Sequence, residues 1–277
     1  MQPTTSTITP VKTHIVIPAR FKSTRLPGKP LLHIHGKPMI LWVAEKASAA
    51  TFADDVCVAT DHDEIAQVCR QAGFEVVMTQ ENHASGTDRL AEVAQIKGWA
   101  DEDIVVNMQG DEPLVPPLLL EQCQQLLLSD NTSVMATLCE SIEDHETFMR
   151  PSVVKVVIDQ QGRALYFSRA PIPCDRDHAL ALADGALALE NESLRVPKSA
   201  YRHLGLYAYR VGLLKQFVKW PQSPLEVLEC LEQLRILEHG DKIAVAKAKV
   251  SLPPGVDTQE DLERLNLEPI SAFETSL

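Results

Sequence analysis

The sequence contains no C-x-x-C pair: its six cysteines, Cys57, Cys69, Cys123, Cys139, Cys174 and Cys230, stand apart and mostly within apolar runs. That pattern argues against a disulfide framework or a zinc site and predicts buried, reduced thiols. No uninterrupted apolar stretch approaches the roughly 18 residues that a spanning helix needs. The opening MQPTTSTITPVK is polar and lacks the apolar segment of a secretory signal. Basic residues are in deficit, 26 Lys and Arg against 38 Asp and Glu, for a formal net charge of -12. An acidic surface repels phosphate backbones, so a nucleic-acid partner is not expected. Aromatic residues make up only 5% of the 277 positions against 45% hydrophobic residues, an ordinary soluble balance. A chain of this length buries a core without disulfides or structural metal. No internal repeat or low-complexity tract is present. The expectation is a cytoplasmic protein with no membrane partner.

What is there alternates. His14–Pro18, Asp55–Thr60, Glu75–Thr79 and Asp103–Met108 read as strands. Between and after them, Pro38–Ala50, His62–Ala72, Thr87–Lys97 and a segment from about Pro116 to Leu128 read as helices. The β-α-β alternation predicts an α/β fold, a mostly parallel sheet flanked by helices. In such sheets ligands bind beyond the carboxyl ends of the strands, which directs attention to the loops after the first and fourth. The second half has more strands: Ser133–Cys139, Val153–Asp159, Ala164–Arg169 and His203–Arg210, with helices at Leu225–His239 and Asp257–Leu265. Pro173–Tyr201 has no clear period and reads as a surface excursion with room for one short helix. The expected organisation is a disordered polar tail over 1–12 and one domain over 13–270.

Four segments carry chemistry. In IPARFKSTRLPGKPL, Arg20, Lys22, Arg25 and Lys29 follow a strand end, and such cations neutralise phosphates. The spacing is not that of a Walker loop. In VVNMQGDEP, a buried strand runs out into Gly110 and presents Asp111 and Glu112, either an ordinary acidic turn or a magnesium ligand. In PPGVDTQEDLERL, Asp257 can cap the following helix or turn towards metal. In ASGTDRLAE, the backbone of Ser85, Gly86 and Thr87 enters a helix beside Arg89 and can read a base edge. In the second half, His203, Gly205, Tyr207 and Tyr209 alternate with Leu204, Leu206 and Ala208, so one face fills a core and the other offers polar groups. Glu232 stands within an apolar stripe and is either functional or at a stripe edge open to water. Arg169, in phase with Leu165 and Phe167, can clamp a carboxylate. No Cys or Ser stands out as a nucleophile.

Together the motifs IPARFKSTRLPGKPL, VATD, SGTDRLAEV, VNMQGDEP, VVKVV, ALYFSRAPIP, HLGLYAYR, LEQLR and PPGVDT, in this order, resemble the 3-deoxy-manno-octulosonate (Kdo) cytidylyltransferase family. The resemblance implies a Rossmann-like nucleotidyltransferase fold, CTP and Kdo as substrates and Mg²⁺ as cofactor. It also implies a homodimer, with residues of about 150–225 forming a sugar-binding and dimerisation lobe. It assigns Arg20, Lys29, Asp111 and Asp257 to catalysis, with Asp111 and Asp257 on the metal. Pro18, Ala19, Arg20, Lys29, Ser85, Gly86, Thr87 and Arg89 fall to the nucleotide. Gln109, Arg169, His203, Tyr207, Glu232 and Gln233 fall to the sugar acid. The stretch Cys174–Ala200 is longer than the family's usual connection after PIP.

Overall fold

The computed structural model describes residues 10–22, 26–83, 85–183 and 195–274. The first half runs β1 (Thr13–Ala19), the short strands β2 (His33–Ile34) and β3 (Lys37–Pro38), α1 (Met39–Ser48), β4 (Asp55–Thr60), α2 (Asp63–Gln71) and β5 (Glu75–Met78). It continues through α3 (Gly86–Lys97), β6 (Ile104–Asn107) and α4 (Pro117–Ser129). The second half runs β7 (Met135–Ser141), α5 (His145–Met149), β8 (Lys155–Ile158), β9 (Ala164–Ser168), α6 (Arg176–Ala183) and β10 (Tyr201–Arg210). It ends with α7 (Val211–Phe217), α8 (Pro224–Glu229), α9 (Gln233–Glu238), β11 (Ile243–Lys247) and α10 (Gln259–Leu267).

One sheet organises these elements, in the order β5-β4-β1-β6-β10-β7-β11, with β8 beside β10 and β9 beside β8. The pairs β1–β4, β1–β6, β4–β5 and β7–β11 are parallel. The antiparallel strands β8, β9 and β10 come from the second half. Every residue of β1 is buried because helices cover both sheet faces. On one face Ile15 and Ile17 pack with Val43 of α1, Leu119 of α4 and Leu206 of β10. On the other, Val16 packs with Leu90 of α3, Leu214 of α7, Leu234 of α9 and Phe167 of β9. Strand order reverses at β1: the chain moves out through β4 and β5, then returns to β6 on the other side. The crevice between the carboxyl ends of β1 and β6 is thus a topological switch point, where open α/β sheets bind ligands.

A third cluster matters for the site. Leu262 and Leu265 of α10 pack with Phe273 against Met39 and Trp42 of α1, Ile34 and Leu26. This contact returns the C-terminal segment to the loop after β1. No helix among the described residues is long and apolar enough to cross a membrane.

Several expectations change. The helix read over Leu225–His239 is two, because Cys230 adopts the left-handed conformation (φ 52°, ψ 50°) and the Leu231 N–H turns back to Glu226 O. A buried pair holds the two pieces together, Arg235 Nε donating to Glu226 Oε2 at 2.7 Å. The last helix is capped by Thr258, in a reciprocal box with Asp261, and not by Asp257. Cys174 and Cys230 are exposed, unlike the other four cysteines. Strand β11 and helices α5 and α7 have no counterpart in the sequence reading. The excursion does contain a short helix, α6, while 184–194 lie outside the described residues, as do 1–9 of the expected tail and Arg25.

Candidate active site

The switch-point crevice opens into a cleft of about 610 Å³. Its floor is the carboxyl ends of β1 and β6: Pro18, Ala19 and Arg20 on one side, Asn107, Gln109, Gly110 and Asp111 on the other. Gly110 is required by this approach, since a Cβ there would lie 2.8 Å from Pro18 O. The loop after β1 is closed by Gly28, which adopts φ 67° and donates its N–H to Phe21 O at 3.1 Å. Phe21 stacks on His62 at 3.9 Å, anchoring the loop to the end of β4. Lys29 follows at once, in a short 3-10 turn that buries Pro30.

Lys29 is the centre of convergence. Its Nζ donates to Asp111 Oδ2 at 2.6 Å, Val256 O at 2.8 Å and Asp257 Oδ1 at 3.2 Å. The segment carrying Asp257 is fixed against the one carrying Asp111: the Val256 N–H donates to Asp111 O at 2.9 Å. Gly255 permits this contact, because a Cβ there would meet Asp111 O at 3.0 Å and Glu112 Cγ at 3.3 Å. Glu112 is turned inwards. Burial, reinforced by Asp111 and Asp257, pushes its carboxyl up to about 8, and its Oε2 has no hydrogen-bond partner among the described residues. No group of three or more His, Cys, Asp or Glu side chains forms a closed metal cage among the described residues. Two converging carboxylates suit a hard divalent cation that completes its shell with phosphate and water oxygens.

The opposite wall begins at α3. Ser85 caps the helix, accepting from the Asp88 N–H while Asp88 accepts from the Ser85 N–H. The Gly86 and Thr87 N–H groups belong to the first turn, which has no intrahelical acceptor for them, and both residues line the cleft. Thr87 Oγ1 donates to Glu232 Oε2 at 2.7 Å. Glu232 therefore sits in the cleft wall, its carboxyl raised by burial against the lowering effect of the Thr87 and Ser85 hydroxyls. Gln233, Leu231 and Cys230 continue that wall, with Tyr207 and Tyr209 of β10 behind them. Burial raises the phenols of Tyr207 and Tyr209, so both stay protonated donors. Three buried polar atoms in the lining, Arg20 Nη2, Asn107 Oδ1 and Gln233 Nε2, have no hydrogen-bond partner among the described residues.

The structure thus brings together Pro18, Ala19, Arg20, Lys29, Ser85, Gly86, Thr87, Gln109, Asp111, Tyr207, Glu232, Gln233 and Asp257 in one cleft lining. Three expected contacts stand outside it. Arg89 is fully buried under the α3 turn, donating to Thr79 Oγ1 and pairing with Asp61 at 3.5 Å. His203 packs against Phe167 and Tyr207, its Nε2 2.9 Å from Thr137 Oγ1, and burial takes its imidazole down to about 3. Arg169 lies just past β9 and directs its guanidinium to the carbonyls of Glu229 and Pro151, at 2.7 and 3.0 Å. Asn107 is a lining residue that the sequence reading missed. Its signal was there, a single amide at the end of the apolar strand IVVN.

Known proteins resemble this chain over nearly its whole length. Residues 14–243 match the cytidylyltransferase family model. The chain is 67% identical over 272 residues to the 3-deoxy-manno-octulosonate cytidylyltransferase of Psychrobacter arcticus, covering 97% of this chain and 98% of that one. Its Acinetobacter baumannii namesake is 55% identical over 261 residues, covering 94% and 99%. A solved structure of CMP:2-keto-3-deoxy-manno-octonic acid synthetase complexed with CTP superposes with a TM-score of 0.80 at 41% identity, covering 92% of this chain and 97% of that one. With its switch-point cleft and near full-length likeness to these enzymes, the chain belongs to the cytidylyltransferase family, among the 3-deoxy-manno-octulosonate cytidylyltransferases.

Proposed function

We propose that this chain transfers CMP from CTP to Kdo with release of pyrophosphate, supplying activated Kdo for bacterial lipopolysaccharide. The observation that carries this reading is the meeting of Lys29 with Asp111 and Asp257 in a cleft whose other wall holds Glu232, Gln233 and Tyr207. One half of the cleft is cationic and acidic in the way a metal-bound triphosphate needs. The other is lined by hydrogen-bonding groups that suit a polyhydroxylated acid.

The chemical difficulty is charge, since an anionic sugar must approach a polyanionic nucleotide. Asp111 and Asp257 would hold Mg²⁺, which when bound withdraws charge from the phosphates and lowers the pKa of the attacking anomeric hydroxyl. Lys29 and Arg20 stabilise charge that builds on the α-phosphate and the departing pyrophosphate. Pro18, Ala19 and the turn Ser85–Thr87 orient the nucleotide, with Arg89 supporting that turn from beneath. Gln109, Tyr207, Glu232 and Gln233 hold the sugar acid, with His203 and Arg169 behind them. Fixing the hydroxyl in line with the leaving pyrophosphate supplies much of the remaining acceleration. No covalent enzyme intermediate is required.

We read the assembly as a homodimer closed through the second lobe, where Leu165 of β9 and Val227 and Leu228 of α8 are exposed apolar side chains. The reaction is tested by pyrophosphate release from CTP with Kdo, with N-acetylneuraminate and with no sugar. Release that requires Kdo supports the reading. Release only with N-acetylneuraminate, or with neither sugar, contradicts it.

A further inference from the structure

The turn between α8 and α9 carries Leu231, Glu232 and Gln233 into the cleft, and its shape is set from outside the cleft. Were α8 to continue as one helix, Glu232 would follow Leu228, four residues earlier, on a face where Leu228 is 78% exposed. The left-handed Cys230 breaks that progression and turns Glu232 towards Thr87. A non-glycine residue keeps this conformation only where its neighbours fix it. The neighbours are at the end of β9. Glu229 Oε1 accepts from Ser168 Oγ at 2.6 Å and from the Tyr166 hydroxyl at 3.4 Å, and Oε2 accepts from the Arg169 N–H at 2.9 Å. In return Arg169 donates from Nε to Glu229 O at 2.7 Å and from Nη2 to Cys230 O at 3.4 Å. Both the side chain and the carbonyl of Glu229 are therefore tied to one strand end.

We propose that Glu229 is a positioning residue for sugar-acid recognition: by clasping Ser168 and Arg169 it holds the Cys230 turn that presents Glu232 and Gln233 to the cleft. The inference rests on the reading of Glu232 and Gln233 as sugar-acid contacts. Glu229 itself touches no substrate, and its removal loosens the turn while leaving the Lys29–Asp111–Asp257 end of the cleft untouched. The bonds lost on truncation are those of a carboxylate with three donors, and bonds of this kind are stronger than neutral ones.

Steady-state kinetics of Glu229→Ala test it, with both substrates varied. The Michaelis constant for Kdo is expected to rise about tenfold, while the constant for CTP and kcat hold within about twofold. Glu229→Gln keeps an acceptor for the Arg169 N–H and can donate to Ser168 Oγ, so it restores most of the Kdo constant. A Kdo constant unchanged in Glu229→Ala overturns the inference, as does an equal rise in both constants, which marks a merely structural role. Should Glu229→Ala fail to fold, Ser168→Ala removes one of the three donors and carries the same expectation at about threefold. Wild-type enzyme that does not turn over Kdo defeats the functional reading. Wild-type turnover with an indifferent Glu229 variant defeats this inference alone.

Discussion

Lys29 reaches acceptors in two segments more than eighty residues from its own, Asp111 in one and Val256 and Asp257 in the other. Replacing Asp111 by Asn keeps the shape and removes one charge of the pair that would hold the metal. The side chain is 34% exposed and Lys29 retains its bonds to Val256 and Asp257, so stability should change by less than about 1 kcal/mol. Turnover at saturating Mg²⁺ should fall at least about 100-fold, and an unchanged kcat would remove Asp111 from the metal. His203 carries a different expectation. Burial holds its imidazole at about 3, below the ordinary 6.5, so between those values the unfolded chain binds the extra proton. Stability therefore falls as pH drops below 6.5, by up to about 1.4 kcal/mol per pH unit for this one group. In His203→Phe this share of the acid slope should disappear, as read from denaturant midpoints between about pH 4 and 7. Identical slopes in the two proteins would show that His203 does not titrate on unfolding.

At the scale of elements, the site depends on two glycines that let backbones touch. Gly110→Ala would push a Cβ into Pro18 O, so the strand ends of β1 and β6 must part. The expected cost is about 1–3 kcal/mol of stability, with a larger loss of activity than Gly86→Ala, where a Cβ meets nothing within 4 Å. Equal activity in the two variants would contradict the close-approach role. The alternating first half was legible because each helix there begins or ends on a marked residue, such as Ser85 at the start of α3 and Gly98 at its end. Arg20, Lys29 and Asp111 were legible as candidates for a related reason: they stand in the loops that follow the apolar strands β1 and β6. The break at Cys230 was not legible, because LEVLECLEQLRIL has no Gly or Pro and keeps a helical period throughout. What breaks it is tertiary, the ties from β9 and the Glu226–Arg235 pair. For the same reason Arg169 reads from sequence as a sugar clamp, yet its guanidinium bonds to main-chain carbonyls. Strand β11 was missed because KIAVAK is short and finds its partner, β7, about a hundred residues back in the chain.

At the scale of the whole molecule, an acidic chain balances its charges at one crevice. Arg20, Lys22 and Lys29 line the cleft together with Asp111, Glu232 and Asp257, in a protein whose formal net charge is -12. Such a local balance suits a metal-bound polyanionic small molecule at that site, while the acidic surface elsewhere repels phosphate backbones. The homodimer reading predicts a light-scattering mass twice that of the chain in solution, and Leu228→Lys, on the exposed apolar face, should shift it towards the monomer. A wild-type mass equal to one chain would contradict the dimer. The central claim concerns the bond that is made, and phosphorus NMR of a mixture of enzyme, CTP, Kdo and Mg²⁺ follows it directly. The account predicts equal amounts of pyrophosphate and one phosphodiester-linked CMP-sugar when the metal is present, and CTP left unreacted once the metal is chelated. With the metal present, CTP left intact, or cleaved without a sugar-linked product, would contradict it.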